Sequence, residues 1–461
     1  MQTKVCMPAV KTKRGKKMKM KKGMRVLILS LLLVMALLGA MFVPAVSAAE
    51  ENDKEYLSTP LIIFEGYTKQ IDANQIKSDL KIDNTIEKYD LVSFDIPEIR
   101  NEIFKKGELP VCIEGKQYSM ILNELLVNDK GVNPETHSYN GYLKGVDNSN
   151  IVLTISESVF LASIIINGEE YCIDSLSAKD PSGDKYHIEY MVKDIKIEGN
   201  YLYGIEDYLA HSTMSNDELK IRSEEAKIEE KEKATKSITY VRILVMTDAK
   251  WIYDEPDWQS KAQLIIAQAN NQFGRSDIQL NLIATYDSSK ASELAADAQN
   301  LVQNPLDTFR GHVDVNYLNS KSADIAVYLG GYDCTNPDWG VGATYGYDDS
   351  NAGKRRYAWV QMADDPSPYD PNIHDRTVAT LHEIGHLFDA DHQYLKPGQI
   401  QENYNRAYQW NSGSTTQSVV WAPILRSTSY EYSSNDYNGD YYHNNALRIY
   451  NTRNVVRDYY V

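Results

Sequence analysis

The chain has 461 residues, 43% of them hydrophobic and 24% charged, with a formal net charge of −16. That length admits two or three domains, and the composition excludes a disordered or fibrous protein. Four cysteines are too few for a disulfide scaffold, and the acidity argues against a nucleic-acid partner.

Ten basic residues, from Lys4 to Arg25, lead into the apolar run VLILSLLLVMALLGAMFV, which is followed by small residues at Val46 and Ala48. A basic segment, an apolar segment and small residues suited to cleavage describe a secretory signal peptide over 1–49, so secretion is expected. An uncleaved N-terminal anchor is the alternative, because the run approaches the roughly 18 residues that a membrane span needs. Loss of 1–49 removes ten positive charges and no negative one, taking the net charge from −16 to −26. Such acidity suits solubility; it is compatible with bound Ca²⁺, but no specific motif supports that. Cys6 leaves with the signal, and Cys112, Cys172 and Cys334 remain, an odd number for an oxidising compartment.

Residues 50–213 alternate short β-patterned runs with turn signals, and Asn167-Gly168 marks a hairpin. His137 and His187 stand alone there and read as structural or surface residues. The mixed-charge segment 214–237, with no aromatic residue, reads as a solvated linker open to proteolysis. From 238 to 461 strands and helices are interspersed, an α/β (α+β) pattern. ITYVRILVMTD, IQLNLIATY, ADIAVYLGG and RRYAWVQMADD are strands. DWQSKAQLIIAQANNQFGRS has apolar residues at helical spacing, with Asp257 placed to cap it, and LDTFRGHVDVNYL is also helical.

The stretch LHEIGHLFDADH, 381–392, carries the chemistry. Thr377, Ala379, Leu381 and Ile384 suit a helix, and Asp375 offers a cap. Residues four apart share a helix face, so His382 and His386 can present ring nitrogens to one ion, with Glu383 beside them. A zinc ion held in this way lowers the pKa of its water, and the glutamate takes the proton. His392, six residues beyond His386, returns to the same ion if the chain turns sharply at Asp389. Three imidazoles leave an open fourth position, the arrangement of a catalytic rather than a structural zinc.

These residues resemble HExxHxxGxxH, the signature of the metzincin zinc metalloproteases, and the wider chain is similar to their adamalysin (reprolysin, ADAM-like) branch. The resemblance implies a metzincin-like catalytic domain over 238–461, with a twisted, mostly parallel sheet and an active-site helix, preceded by a β-rich propeptide over 50–213. It implies a secreted zinc endopeptidase made as a zymogen and activated by cleavage in or near 214–237. His382, His386 and His392 would be the metal ligands and Glu383 the general base. Protein or peptide substrates and the chain's own propeptide, acting as inhibitor, would be its partners, with no membrane partner after signal cleavage. The strand Tyr357–Met362 would be the edge on which substrate adds, and Tyr430 or Tyr432 would assist the oxyanion.

Two departures stand out. Asp389 takes the signature's glycine position, where aspartate is among the non-glycine residues that best tolerate φ > 0. No methionine follows Met362, so Val419 or Val420 takes the place of the methionine under the zinc. No cysteine lies in 173–333 to silence the metal near the propeptide's end, and the sequence leaves open whether Cys112 and Cys172 pair or one of them reaches the zinc. The rival readings are a zinc peptidase with another third ligand, such as a downstream glutamate, and a secreted binding or adhesion protein on a degenerate metalloprotease fold.

Overall fold

The computed structural model describes residues 55–56, 60–71, 80–195, 237–298, 305–332, 342–345, 353–362, 372–392, 409–411, 415–417, 420, 429–434 and 444–460, apart from breaks at 72–79, 81, 84 and 181–182. The expected signal peptide, nearly all of the charged linker, Cys334 and Val419 lie outside the described residues. The chain divides into Met1–Asp53 and Lys54–Val461, and every described residue belongs to the second unit.

The first part of that unit is an 11-stranded sheet. In chain order its strands are β1 (Glu55–Tyr56), β2 (Ile62–Ile63), β3 (Thr68–Gln70), β4 (Lys88–Phe94), β5 (Glu108–Ile113), β6 (Lys116–Leu125), β7 (His137–Leu143), β8 (Ser149–Ile155), β9 (Phe160–Ile166), β10 (Glu169–Lys179) and β11 (Lys185–Met191). They lie in the order β1-β4-β11-β10-β9-β8-β7-β6-β5-β2, with β3 also on β4, and only the β1–β4 pair is parallel. Most successive antiparallel neighbours are joined by short turns, and β6 and β7 by a longer connection over 126–136. Asn167 and Gly168 both have positive φ, 52° and 89°, the backbone of the two-residue turn that joins β9 to β10. One helix, α1 (Ile96–Lys106), interrupts the run, capped by Asp95 and stopped by Gly107 at φ 61°.

A second sheet of five strands has the order β13-β12-β14-β16-β15: β12 (Thr239–Thr247), β13 (Leu280–Asp287), β14 (Ile325–Gly330), β15 (Gly342–Thr344) and β16 (Tyr357–Gln361). Its first four strands pair in parallel, and β15 is antiparallel to β16. The expected edge strand, Tyr357–Met362, is therefore not at the edge. β15, three residues long and without a strong sequence signal, covers it. Along β12 alternate side chains separate: Val241, Ile243 and Val245 join the core shared with the helices, while Leu244 and Met246 join a cluster on the other face with Phe309 and Trp359.

Between the two sheets runs α2 (Trp258–Arg275). Its apolar stripe, with Leu264, Ile265 and Ala269, behaves as the periodicity predicts, but its polar face is buried too. Ser260, Lys261, Gln263, Gln268, Asn270 and Asn271 are all covered. β7, β8 and β9 lie against this helix, and β7, β8 and the residue before β7 supply polar partners. Gln263 donates to Ser138 Oγ and to the Thr136 carbonyl, each at 3.1 Å, and Asn271 donates to Asn150 Oδ1 at 3.1 Å. Asp257 begins the helix without capping it through its side chain; its carboxylate instead pairs with Lys185 of β11. Residues 127–129 also lie along the outer edge of β13, with Ala284 donating to the Val127 carbonyl at 2.7 Å and Asp129 donating to the Ala284 carbonyl at 3.0 Å. Among the described residues no helix is long and apolar enough to cross a membrane.

Two further helices frame the candidate site: α3 (Ile373–Leu387) and α4 (Asn445–Arg457). Ile384, Leu387 and Phe388 share one core with Leu447, Ile449 and Tyr450.

Candidate metal centre

Helix α3 starts two residues before the expected cap. Asn372 is the N-cap, its Oδ1 accepting from the Asp375 backbone N–H at 3.0 Å, and its side-chain amide returns a bond to the Asp375 carboxylate at 3.0 Å. Asp375 is thus the third helical residue, a partner of the cap. Every residue of α3 is buried, so its polar side chains need internal partners: Thr377 and Thr380 bond back to the carbonyls of Ile373 and Arg376, and Arg376 pairs with Glu255.

The helix ends in a Schellman turn. Ala390 N–H donates to the Gly385 carbonyl and Asp389 N–H to the His386 carbonyl, each at 3.1 Å. Asp389 has φ 67°, the left-handed conformation that the sequence assigns to it. The turn brings His392 back over the helix. The Nε2 atoms of His382, His386 and His392 lie 3.0, 3.1 and 3.1 Å apart. Among the described residues this is the one cluster of three potential ligands that could hold a metal ion.

The triangle fits a first-row metal. Three nitrogens at these separations can all lie within the roughly 2.0–2.1 Å reach of one ion. The tautomer is set for His386, whose Nδ1 donates to the Ala390 carbonyl at 2.7 Å and leaves Nε2 as acceptor. Neutral imidazoles without a thiolate suit zinc among the borderline metals.

Glu383 follows His382 and is 2% exposed. It packs against the backbone of β15: a Cβ built on Gly342 would stand 2.4 Å from Glu383 Oε1 and 2.7 Å from its Cγ. Gly342 is therefore a site residue that sequence reading missed. Its signal, a glycine in GVGATYGY, was visible, but its role depends on a contact between separate elements.

Val420 is fully buried beneath the helix. A Cβ on Gly385 would meet Val420 Cγ2 and Tyr432 Cε1, both at 2.9 Å. Neither tyrosine proposed for the oxyanion is available for that job. Tyr432 donates to the Leu381 carbonyl at 2.8 Å and stacks on Phe273. The Tyr430 hydroxyl lies 2.8 Å from His374 Nδ1 and donates to Glu170 Oε1 at 2.7 Å. Both are buried, which pushes their hydroxyl pKa values up. Glu170, on β10, also pairs with His374 at 3.0 Å. Burial pushes its carboxyl up, but the charge of His374 and bonds from His374, Tyr430 and Ser163 outweigh this and hold it below its ordinary value.

Cys112 and Cys172 are buried in β5 and β10 and form no disulfide. Cys172 donates to Glu170 Oε1 at 3.6 Å, and neither thiol belongs to the histidine cluster. His187 is fully buried, its ring 5.0 Å from Phe94 and its Nε2 accepting from the Phe160 N–H at 3.1 Å, while His137 sits at the surface against Glu124.

Residues 238–446 match the family model Reprolysin_5, described as metallo-peptidase family M12. A solved structure, the metalloproteinase-II from Bacteroides fragilis, is similar over 73% of this chain and 87% of that one, at 13% identity and a TM-score of 0.39. No curated protein matches at a significant level. The family match covers the second sheet and all three histidines and supports a metallopeptidase.

Proposed function

We propose that the chain is a secreted zinc endopeptidase made as a zymogen, and the observation that carries this reading is the triangle of three imidazole nitrogens with Glu383 on the same helix. His382, His386 and His392 would hold Zn²⁺. When bound, the ion supplies Lewis acidity toward a water molecule and the scissile carbonyl. Glu383, fixed against Gly342, takes the proton from the attacking water and passes it to the leaving amine. A peptide in extended form adds to the free side of β15, the outer strand among those described, so that its scissile bond lies beside the metal helix. His392 closes the triangle with the other two rings, which disfavours a downstream glutamate as third ligand.

The zymogen part draws on the interface along α2. It is rich in amides and buried charges: Lys261, 2% exposed, pairs with Asp174 of β10 at 3.0 Å and with Glu255 at 2.7 Å. Burial works against the Lys261 charge, but the two carboxylates outweigh it and raise its pKa. A helix face made of Lys, Gln and Asn can be returned to water at modest cost, as parts meant to separate require. On this reading the first sheet is the propeptide, cleaved away in or near 214–237. With both described thiols held in the first sheet's strands, latency would rest on this docking rather than on Cys112 or Cys172.

The test is to purify the chain after the signal, cleave it in 214–237, and measure zinc content and casein hydrolysis for wild type and Glu383→Ala. Equal zinc in both, with hydrolysis only by wild type, supports the reading. Zinc-loaded wild type that cleaves nothing, even once the N-terminal part is removed, overturns it.

A further inference from the structure

We infer that helix α4 sets the position of the third imidazole, with Arg448 as the positioning residue; this rests on the zinc reading above. Asn445, Arg448 and Thr452 lie three and four apart on α4, so they share one helix face. Each holds a different point of the turn 388–391. Thr452 Oγ1 donates to the Phe388 carbonyl at 2.6 Å. Arg448 Nε and Nη2 both donate to Oδ2 of Asp389. Asn445 Oδ1 accepts from the Asp391 N–H at 3.3 Å, and its amide donates to the Asp391 carbonyl at 3.5 Å. Asp391 in turn accepts from the His392 N–H at 2.8 Å. The grip of α4 therefore runs up to the residue that carries the third ligand.

The aspartate at position 389 gains a reason from this contact. Glycine would make the same left-handed turn without strain, but it would offer Arg448 nothing to hold. Asp389 and Arg448 are each 8% exposed, so the pair is shielded from solvent, and removing either member takes a buried charge away from its counterpart. α4 is itself a firm base. Asn444 caps it, accepting from the Leu447 N–H at 2.9 Å, and Ala446, Leu447, Ile449 and Tyr450 are buried in the same core as α3. Its polar face thus acts as a support behind the metal ligands, holding His392 where its Nε2 completes the triangle. Such support commonly changes metal affinity without touching the ion.

The experiment measures zinc dissociation constants for the full chain by competition with a chromophoric chelator, with circular dichroism to establish folding. Arg448→Met is expected to weaken zinc binding by about 10- to 100-fold. Thr452→Val, a near-isosteric change that spares folding if Arg448→Met does not, is expected to weaken it by about 3- to 10-fold. Both losses should shrink in a His392→Ala background, because the grip of α4 runs mainly to that ligand, with only the Ala390 carbonyl reaching His386, whereas a general loss of structure would persist there at full size. Folded variants with unchanged zinc affinity, or equal losses with and without His392, overturn the inference. A wild-type chain that binds no zinc overturns the metal reading first, and this inference with it.

Discussion

Gly385, between two of the candidate ligands, offers a quantitative test of what lies beneath the metal helix. An alanine there would place its Cβ 2.9 Å from Val420 Cγ2 and from Tyr432 Cε1. Carbon atoms pack at about 3.5–4.0 Å, so each neighbour would have to retreat by roughly 0.6 Å or more. Neither has room: both are fully buried, Tyr432 is stacked on Phe273, and its hydroxyl is committed to the Leu381 carbonyl. Overpacking of this kind costs about 1–3 kcal/mol. Alanine gains about 1 kcal/mol over glycine inside a helix, so Gly385→Ala should destabilise by about 0–2 kcal/mol. Val420→Ala removes two buried methyl groups and should cost about 2–3 kcal/mol. Combined, the smaller residue 420 relieves the contact made by the new methyl group, and the double variant should be about 1–2 kcal/mol more stable than the sum of the singles. Urea midpoints of the four proteins, with metal removed by chelation so that binding does not shift the curves, measure this coupling. Additivity within about 0.5 kcal/mol would refute the packing of Val420 under the metal helix.

Other outcomes follow from the same geometry. Gly342→Ala should push Glu383 off its seat and lower casein hydrolysis while leaving zinc content unchanged; loss of zinc together with activity would show that the contact supports the ligands instead. Lys261→Met should destabilise the chain by at most about 3–5 kcal/mol, because Asp174 loses its buried cation while Glu255 keeps Arg376, and limited proteolysis should then release the first sheet faster; an unchanged release rate would count against the interface as a latch. Burial holds the His187 pKa down at about 3, against 6.5 when unfolded. The unfolded chain therefore binds this proton first, so stability is fully present above about pH 6.5 and is lost as pH falls toward 3, by at most about 4–5 kcal/mol. His187→Gln, which keeps an acceptor for the Phe160 N–H, should flatten the acid limb of a stability-versus-pH curve, and an unchanged slope would contradict the assignment. Saturating zinc at about 100 times its dissociation constant should stabilise wild type by about 2.7 kcal/mol and His392→Ala by much less; equal thermal shifts would mean that the metal binds elsewhere.

Features that depend on residues close in sequence were the legible ones. The spacing of His382, His386 and His392 sufficed to predict one cluster, and Asp389 was readable as the turn because few other residues tolerate φ 67°. Asn167-Gly168 likewise announced its hairpin. What stayed hidden depends on contacts between distant elements. Arg448 lies 59 residues from Asp389, and nothing in local pattern couples them. The polar residues of α2 carry no local sign of burial, yet a whole sheet covers them with matching amides. β15 is too short to be signalled by alternation, and its presence displaced Tyr357–Met362 from the edge. Tyr430 and Tyr432 do lie against the metal helix, but their hydroxyls are taken by Glu170, His374 and the Leu381 carbonyl.

The central claim is that three imidazoles and one glutamate make a peptide-cleaving zinc site. Casein hydrolysis by the zinc-loaded chain, after cleavage in 214–237 and removal of the first sheet, tests it most directly when wild type is set against Glu383→Ala at equal metal content. The account predicts one zinc per chain in both proteins, with hydrolysis by wild type and a loss of at least about 10²-fold in the variant. Equal rates in the two proteins, or no hydrolysis by either, would contradict it.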